Sequence, residues 1–170
     1  MFCGALQMTL RHKIIWCRKQ KNGVKLIEPN DNLSEAYLKK SNEALKVMKK
    51  IGGVSKEWSI SSAYYARYNA VYSLLMKCGI ESEIHDCTLA IFRFLFRQEF
   101  EEDVFEEVEA VKEQRINTQY YTDRNLNNKK YQAIVKDTPD FILKIESFII
   151  NLTKDQIEEI RKKLKKLIEK

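Results

Sequence analysis

Residues 61–79, SSAYYARYNAVYSLLMKCG, constrain the fold of this chain more than any other stretch. Only Arg67 and Lys77 carry charge across about five helical turns of small, aromatic and aliphatic side chains. A helix on a protein surface shows one apolar stripe against a polar face. This segment is apolar nearly all round, which predicts a central helix enclosed by others. The polar tips of Tyr64, Tyr65, Arg67, Tyr68, Asn69 and Tyr72 need partners in such a setting, so a site is to be sought here first.

Among 170 residues, five Gly and two Pro favour long helices with short connections over a hairpin-rich β protein. That length suits one domain with a sizeable core. No apolar run approaches the roughly 20 residues that span a bilayer. The opening, MFCGALQMTLRHK, lacks the charged-then-apolar pattern of a secretory signal. Cys3, Cys17, Cys78 and Cys87 form no C-x-x-C pair, and Cys78 and Cys87 read as small buried hydrophobes. A zinc site built from them with His12 or His85 is a minor alternative, so no metal or cofactor is expected. The expected setting is reducing and cytoplasmic.

The net charge of +6 suits a nucleic acid, an acidic partner protein or neither. Its distribution is polarised. Charged residues from Arg11 to Lys25 are basic, Glu99 to Glu109 is acidic, and the tail from Arg161 is Lys-rich. Such polarity reads as solvated helix faces and partner docking.

Leu10, Ile14 and Cys17 predict a short helix within 9–21, with a hairpin about Asn22-Gly23 as the competing form. Asn32 and Glu35 make a capping pair for a helix that carries Leu33, Tyr37, Ala44, Met48 and Ile51 and closes at Gly52-Gly53. Ser59 is read as the cap of the central helix, with Gly79 ending it and Ser82 capping the next. A fourth helix has the stripe Val104, Val108, Val111 and then Arg115. A guanidinium on the inward face is either snorkelling past the end of the core or serving as a groove cation. Residues 117–137 break the apolar period and read as loop or frayed helix, with Thr138-Pro139 restarting a helix that buries Phe141, Ile145, Phe148 and Leu152. Thr153 and Gln156 form a capping box for a last helix with Ile157, Ile160, Leu164 and Leu167, docked on the bundle or on a second subunit.

The expected fold is all-α: an up-and-down helical bundle of four core helices over 32–152. A basic segment with a short helix (1–31) precedes it and an amphipathic helix (153–170) follows. No phosphate loop, H-E-x-x-H or G-x-S-x-G occurs.

Over about Leu33 to Leu152 the chain resembles the HEPN domain family, in its stand-alone prokaryotic branch. Tyr64-Tyr65-Ala66 is similar to the family's Tyr-Tyr-Ala in the second core helix, Gly79 to the glycine ending it, and His85 to a histidine opening the third helix. Arg115 and Tyr120 are similar to the arginine and tyrosine of an Arg-x-x-Ala-Asp-Tyr element, with Thr118 and Gln119 standing where the family shows Ala and Asp. The resemblance implies a homodimer, frequently paired with a minimal nucleotidyltransferase in a two-component module of toxin–antitoxin type.

Ribonucleases of that family use an arginine followed, after four to six residues, by a histidine. The arginine neutralises the phosphate and the histidine exchanges a proton near neutral pH. Tyr120, Tyr121 and Thr122 occupy the admissible places after Arg115, and none is histidine. Three functions therefore stand. The first is a non-catalytic module binding a nucleotide, RNA or a partner in a groove of Tyr65, Asn69, His85, Arg115 and Tyr120. The second is a metal-independent endoribonuclease using Arg115, Tyr120 and His85. The third is a structural adaptor. Each also has a plain structural reading: His85 bonding a backbone group or a tyrosine hydroxyl, Tyr64, Tyr65 and Tyr72 as core amphipaths, and Asn69 bridging helices.

Overall fold

The structure, a computed structural model, describes residues 2–121 and 126–169; all of Thr122 and the side chain of Cys3 lie outside the described residues. It is an all-α bundle of α1 (Phe2–Arg18), α2 (Asp31–Ile51), α3 (Lys56–Lys77), α4 (His85–Phe96), α5 (Glu102–Tyr120), α6 (Asn128–Asn151) and α7 (Lys154–Ile168). The one described sheet pairs β1 (Lys25–Leu26) antiparallel with β2 (Ile80–Glu81), so α1 forms and no hairpin crosses Asn22-Gly23. Among the described residues no helix is long and apolar enough to cross a membrane.

α3 is the enclosed helix that its composition predicts, with α2, α5 and α6 packed around it. Ala63, Ala66 and Ala70 are fully buried, and the Ser41 hydroxyl donates to the Ala66 carbonyl at 2.6 Å. Ser73 donates to the Ser34 carbonyl at 2.7 Å, so small residues bring α2 close along the same seam.

Four capping expectations fail, three of them for one reason. Asn30, not Asn32, caps α2 by accepting from the Leu33 N–H at 2.9 Å. Ser55, not Ser59, caps α3; Ser59 is buried and donates to the Met48 carbonyl at 3.0 Å. Ser82 donates to the Gly23 carbonyl at 2.6 Å, and α4 begins at His85 without a side-chain cap. α6 begins at Asn128 behind Asn127 and runs through Pro139, while Thr138 is buried and donates to the Ile134 carbonyl at 2.6 Å. Much of 117–137 is therefore helical. A short hydroxyl satisfies a neighbouring carbonyl as readily as a helix end, and sequence shows only the hydroxyl. Thr153 and Gln156 do form the reciprocal box that opens α7.

Cys17 and Cys87 are disulfide-bonded, tying α1 to α4. This corrects the reading of Cys87 as a lone hydrophobe and removes the cysteine-based ground for a reducing compartment. Closing a 70-residue separation removes about 4 kcal/mol of unfolded-chain entropy in the loop-closure model. Cys78 remains a buried thiol, its pKa pushed up by burial to about 12.

α7 docks on its own bundle. Leu164 is fully buried, and the Arg161 Nη1 donates to the carbonyls of Ile27, Cys78 and Gly79 at 2.7, 2.8 and 3.0 Å. A cation thus sits at the negative end of α3. Gly79 has φ +66°, and a Cβ there would lie 2.2 Å from that guanidinium, so only glycine fits.

Three helices meet at Arg67, which is 1% exposed. Its Nη1 donates to Glu107 of α5 at 2.9 Å; its Nε and Nη2 reach Thr138 Oγ1 and the Ile134 carbonyl of α6 at 3.1 and 3.5 Å. Desolvation lowers the Arg67 pKa and raises that of Glu107, with their mutual attraction opposing both. The partners are unequally buried, since the Glu107 side chain is 32% exposed. Glu107→Ala strands a buried cation and should cost about 3–5 kcal/mol in urea unfolding. Arg67→Met leaves a carboxylate that can rehydrate, and should cost less. Equal losses, or the reverse order, would refute this account.

Candidate functional site

The aromatic residues of α3 converge with the first residue of α4 and the last turns of α5. His85 Nδ1 lies 2.6 Å from the Tyr64 hydroxyl. The imidazole stacks on the Tyr68 ring at 4.1 Å and 17°. Tyr68 stacks in turn on Tyr72 at 5.9 Å, and Tyr37 meets Tyr72 edge-on at 4.6 Å. The stack is fixed at one end by α4 and at the other by α2.

Burial raises the Tyr64 pKa, which keeps its hydroxyl protonated. The protonated hydroxyl can donate to Nδ1 of an imidazole that carries its single proton on Nε2, or accept from the Nδ1–H of the other tautomer. Burial, then the charges of Arg115 and Lys112, lowers the His85 pKa; Asp86 opposes them. Asp86 is itself held below the usual carboxylate range by its hydrogen bond to Lys112.

Arg115 is half-buried at the rim of this cluster. Its Nη2 donates to the Tyr65 hydroxyl at 3.2 Å, and its guanidinium carbon lies 5.4 and 5.1 Å from the ring centroids of Tyr64 and Tyr65. Aromatic faces attract a cation without neutralising it. The Nε is shielded from solvent and has no hydrogen-bond partner. Among the described residues no carboxylate lies within ion-pair distance of Arg115. The side chain is held against two phenols, and among the described residues no carboxylate compensates its charge.

Tyr65, His85 and Arg115 are therefore brought together. Asn69 is half-buried one turn beyond Tyr65 on the same helix. Tyr120 is 68% exposed, and among the described residues no hydrogen bond or ring contact joins it to Arg115 or Tyr65. It stands outside the cluster, because a residue five positions beyond Arg115 leaves on a different face of α5. The tyrosine hydroxyl expected as one partner of His85 is that of Tyr64; sequence reasoning did not single out Tyr64, nor the stack on Tyr68. The contacts span 21 and 17 positions, and no helical period relates α3 to the start of α4. The one available signal was the density of phenols on a buried helix. Among the described residues no three His, Cys, Asp or Glu side chains are gathered as a metal site.

The arrangement offers a fixed cation for an anionic group, aromatic faces for a planar ring, and a neutral imidazole. Comparison with protein-family models and with curated proteins gives no match for this chain.

The His85 imidazole should titrate below 6.5 by proton NMR, with His12→Gln removing the other histidine signal. The folded state then resists a proton that the unfolded chain accepts. Stability should be fully present above about pH 6.5 and fall as the pH drops toward the lowered folded value. Arg115→Ala should raise the His85 pKa without restoring 6.5, because desolvation, the larger cause, remains. An unchanged titration in that variant would refute the coupling.

Proposed function

We propose that this chain is a HEPN-like module that binds a nucleotide or RNA at the Tyr64–Tyr65–His85–Arg115 cluster without cleaving it. It would work as a homodimer beside a minimal nucleotidyltransferase. One observation carries the reading: a guanidinium with no carboxylate partner among the described residues lies over two phenol rings at 5.4 and 5.1 Å. Phosphate matches the charge and a base matches the ring faces. The resemblance in Tyr64-Tyr65-Ala66, Gly79, His85 and Arg115 supports the same class. α7 buries Leu164 and packs the half-buried Ile157, Ile160 and Leu167 against its own core, which weakens the case for an adaptor assembling through that helix.

Fluorescence anisotropy with a labelled single-stranded RNA tests the reading. Arg115→Ala should weaken binding about 10-fold or more and lower the salt slope by about one. Binding that is unaffected by Arg115→Ala would overturn it.

The contact between His85 and the Arg115 cluster favours a second reading, a metal-independent endoribonuclease. Here a histidine from α4 would take the place of the absent histidine after Arg115. This reading expects cleavage of a mixed RNA pool in excess chelator, abolished by His85→Ala and by Arg115→Ala. RNA left intact by the wild-type protein would eliminate it.

A further inference from the structure

On α3, enclosed apart from the exposed Lys56 and Glu57 that open it and the half-buried Lys77 that ends it, one line stays open: Trp58, Ser62, Tyr65 and Asn69, at spacings of four, three and four residues. Trp58 is 60% exposed and Tyr65 39%. Solvated faces elsewhere carry charge, as on α2, where Lys39, Glu43, Lys46 and Lys50 are exposed. This line has none. It alternates aromatic faces with hydrogen-bonding groups, and Arg115, with no carboxylate partner among the described residues, stands at its Tyr65 end.

We propose that this line is a track for single-stranded RNA: one base stacks on Tyr65 beside Arg115, and another, a few nucleotides along, stacks on Trp58. The proposal rests on the nucleotide-binding reading and extends it to a substrate class and a length. Seven helical residues separate the two rings by about 10 Å along the axis. That matches about three base steps at a stacked spacing of about 3.4 Å. Aromatic platforms beside a cation are how proteins hold single strands without reading sequence. A protein partner would bury Trp58 as well, but Arg115 would then require a carboxylate from that partner, whereas each nucleotide supplies its own anion. The Ser62 hydroxyl donates to the Trp58 carbonyl at 2.9 Å and can accept from a ribose hydroxyl or a base N–H, while the Asn69 amide can bond phosphate, ribose or base edges.

The chain has two tryptophans, so Trp16→Phe leaves Trp58 as the sole indole reporter. Adenylate oligomers of one to eight nucleotides are titrated into that protein. Trp58 emission should be quenched by oligomers of about four nucleotides or longer and not by the mononucleotide. Trp58→Ala should weaken the tetranucleotide about 5- to 100-fold, the loss of one base stack, and leave the mononucleotide unchanged. Trp58→Phe should retain most of the affinity. Because Trp58 is exposed, these variants should unfold like the parent, which far-UV circular dichroism checks. Arg115-dependent RNA binding with Trp58 emission unmoved would overturn the track while sparing the nucleotide site. An unchanged affinity in Trp58→Ala, with a drop in sedimentation mass, would assign the line to a second copy of the chain and also overturn it. Loss of the Arg115 effect at every length would overturn the earlier reading instead.

Discussion

The ion pair of Arg67 with Glu107 holds this bundle in its particular arrangement. A guanidinium 1% exposed is tolerated only because Glu107, Thr138 and the Ile134 carbonyl come from two further helices to meet it. The pair adds a directional contact to the apolar packing of Val104, Val108, Val111, Phe141 and Ile145. The pair defines which turn of α5 faces which turn of α3. The same register brings Arg115, two turns along α5, to Tyr65.

The candidate site inverts that arrangement. Arg67 is buried and paired on each nitrogen; Arg115 is at the rim and, among the described residues, hydrogen-bonds only to one phenol. The first charge ties three helices together, and the second lies against two phenol rings. The stack of His85, Tyr68, Tyr72 and Tyr37 gives the site a rigid floor. Desolvation keeps His85 neutral there, so the imidazole adds no charge to repel Arg115. A neutral ring between a phenol and an open nitrogen is suited to hydrogen bonding, and to proton exchange if a reactive group comes within reach.

The misplaced caps share a cause with the missed contacts. Ser59, Ser82 and Thr138 each carry an oxygen that sequence rules assign to a helix start, and each is spent on a carbonyl elsewhere. Thr153 was read correctly because a capping box needs two residues at fixed local spacing, which is information a sequence contains. Cys17 and Cys87 lacked any such signature. Their bond depends on α1 crossing α4, a relation between helices rather than within one.

What the chain determined by itself is therefore what repeats along a helix. The enclosed character of α3, the amphipathic stripe of α7, the inward step from Val111 to Arg115 and the stop at Gly79 all follow from local periodicity and backbone sterics. Tertiary structure alone decided which side chains meet. His85 joined Tyr64 and Tyr68, Arg67 became the buried tie, Tyr120 was left outside, Cys17 found Cys87, and α7 turned back onto its own bundle. These outcomes depend on the order and angle in which helices pack. That choice is made by the summed burial and pairing of distant residues, and it leaves no period in the sequence.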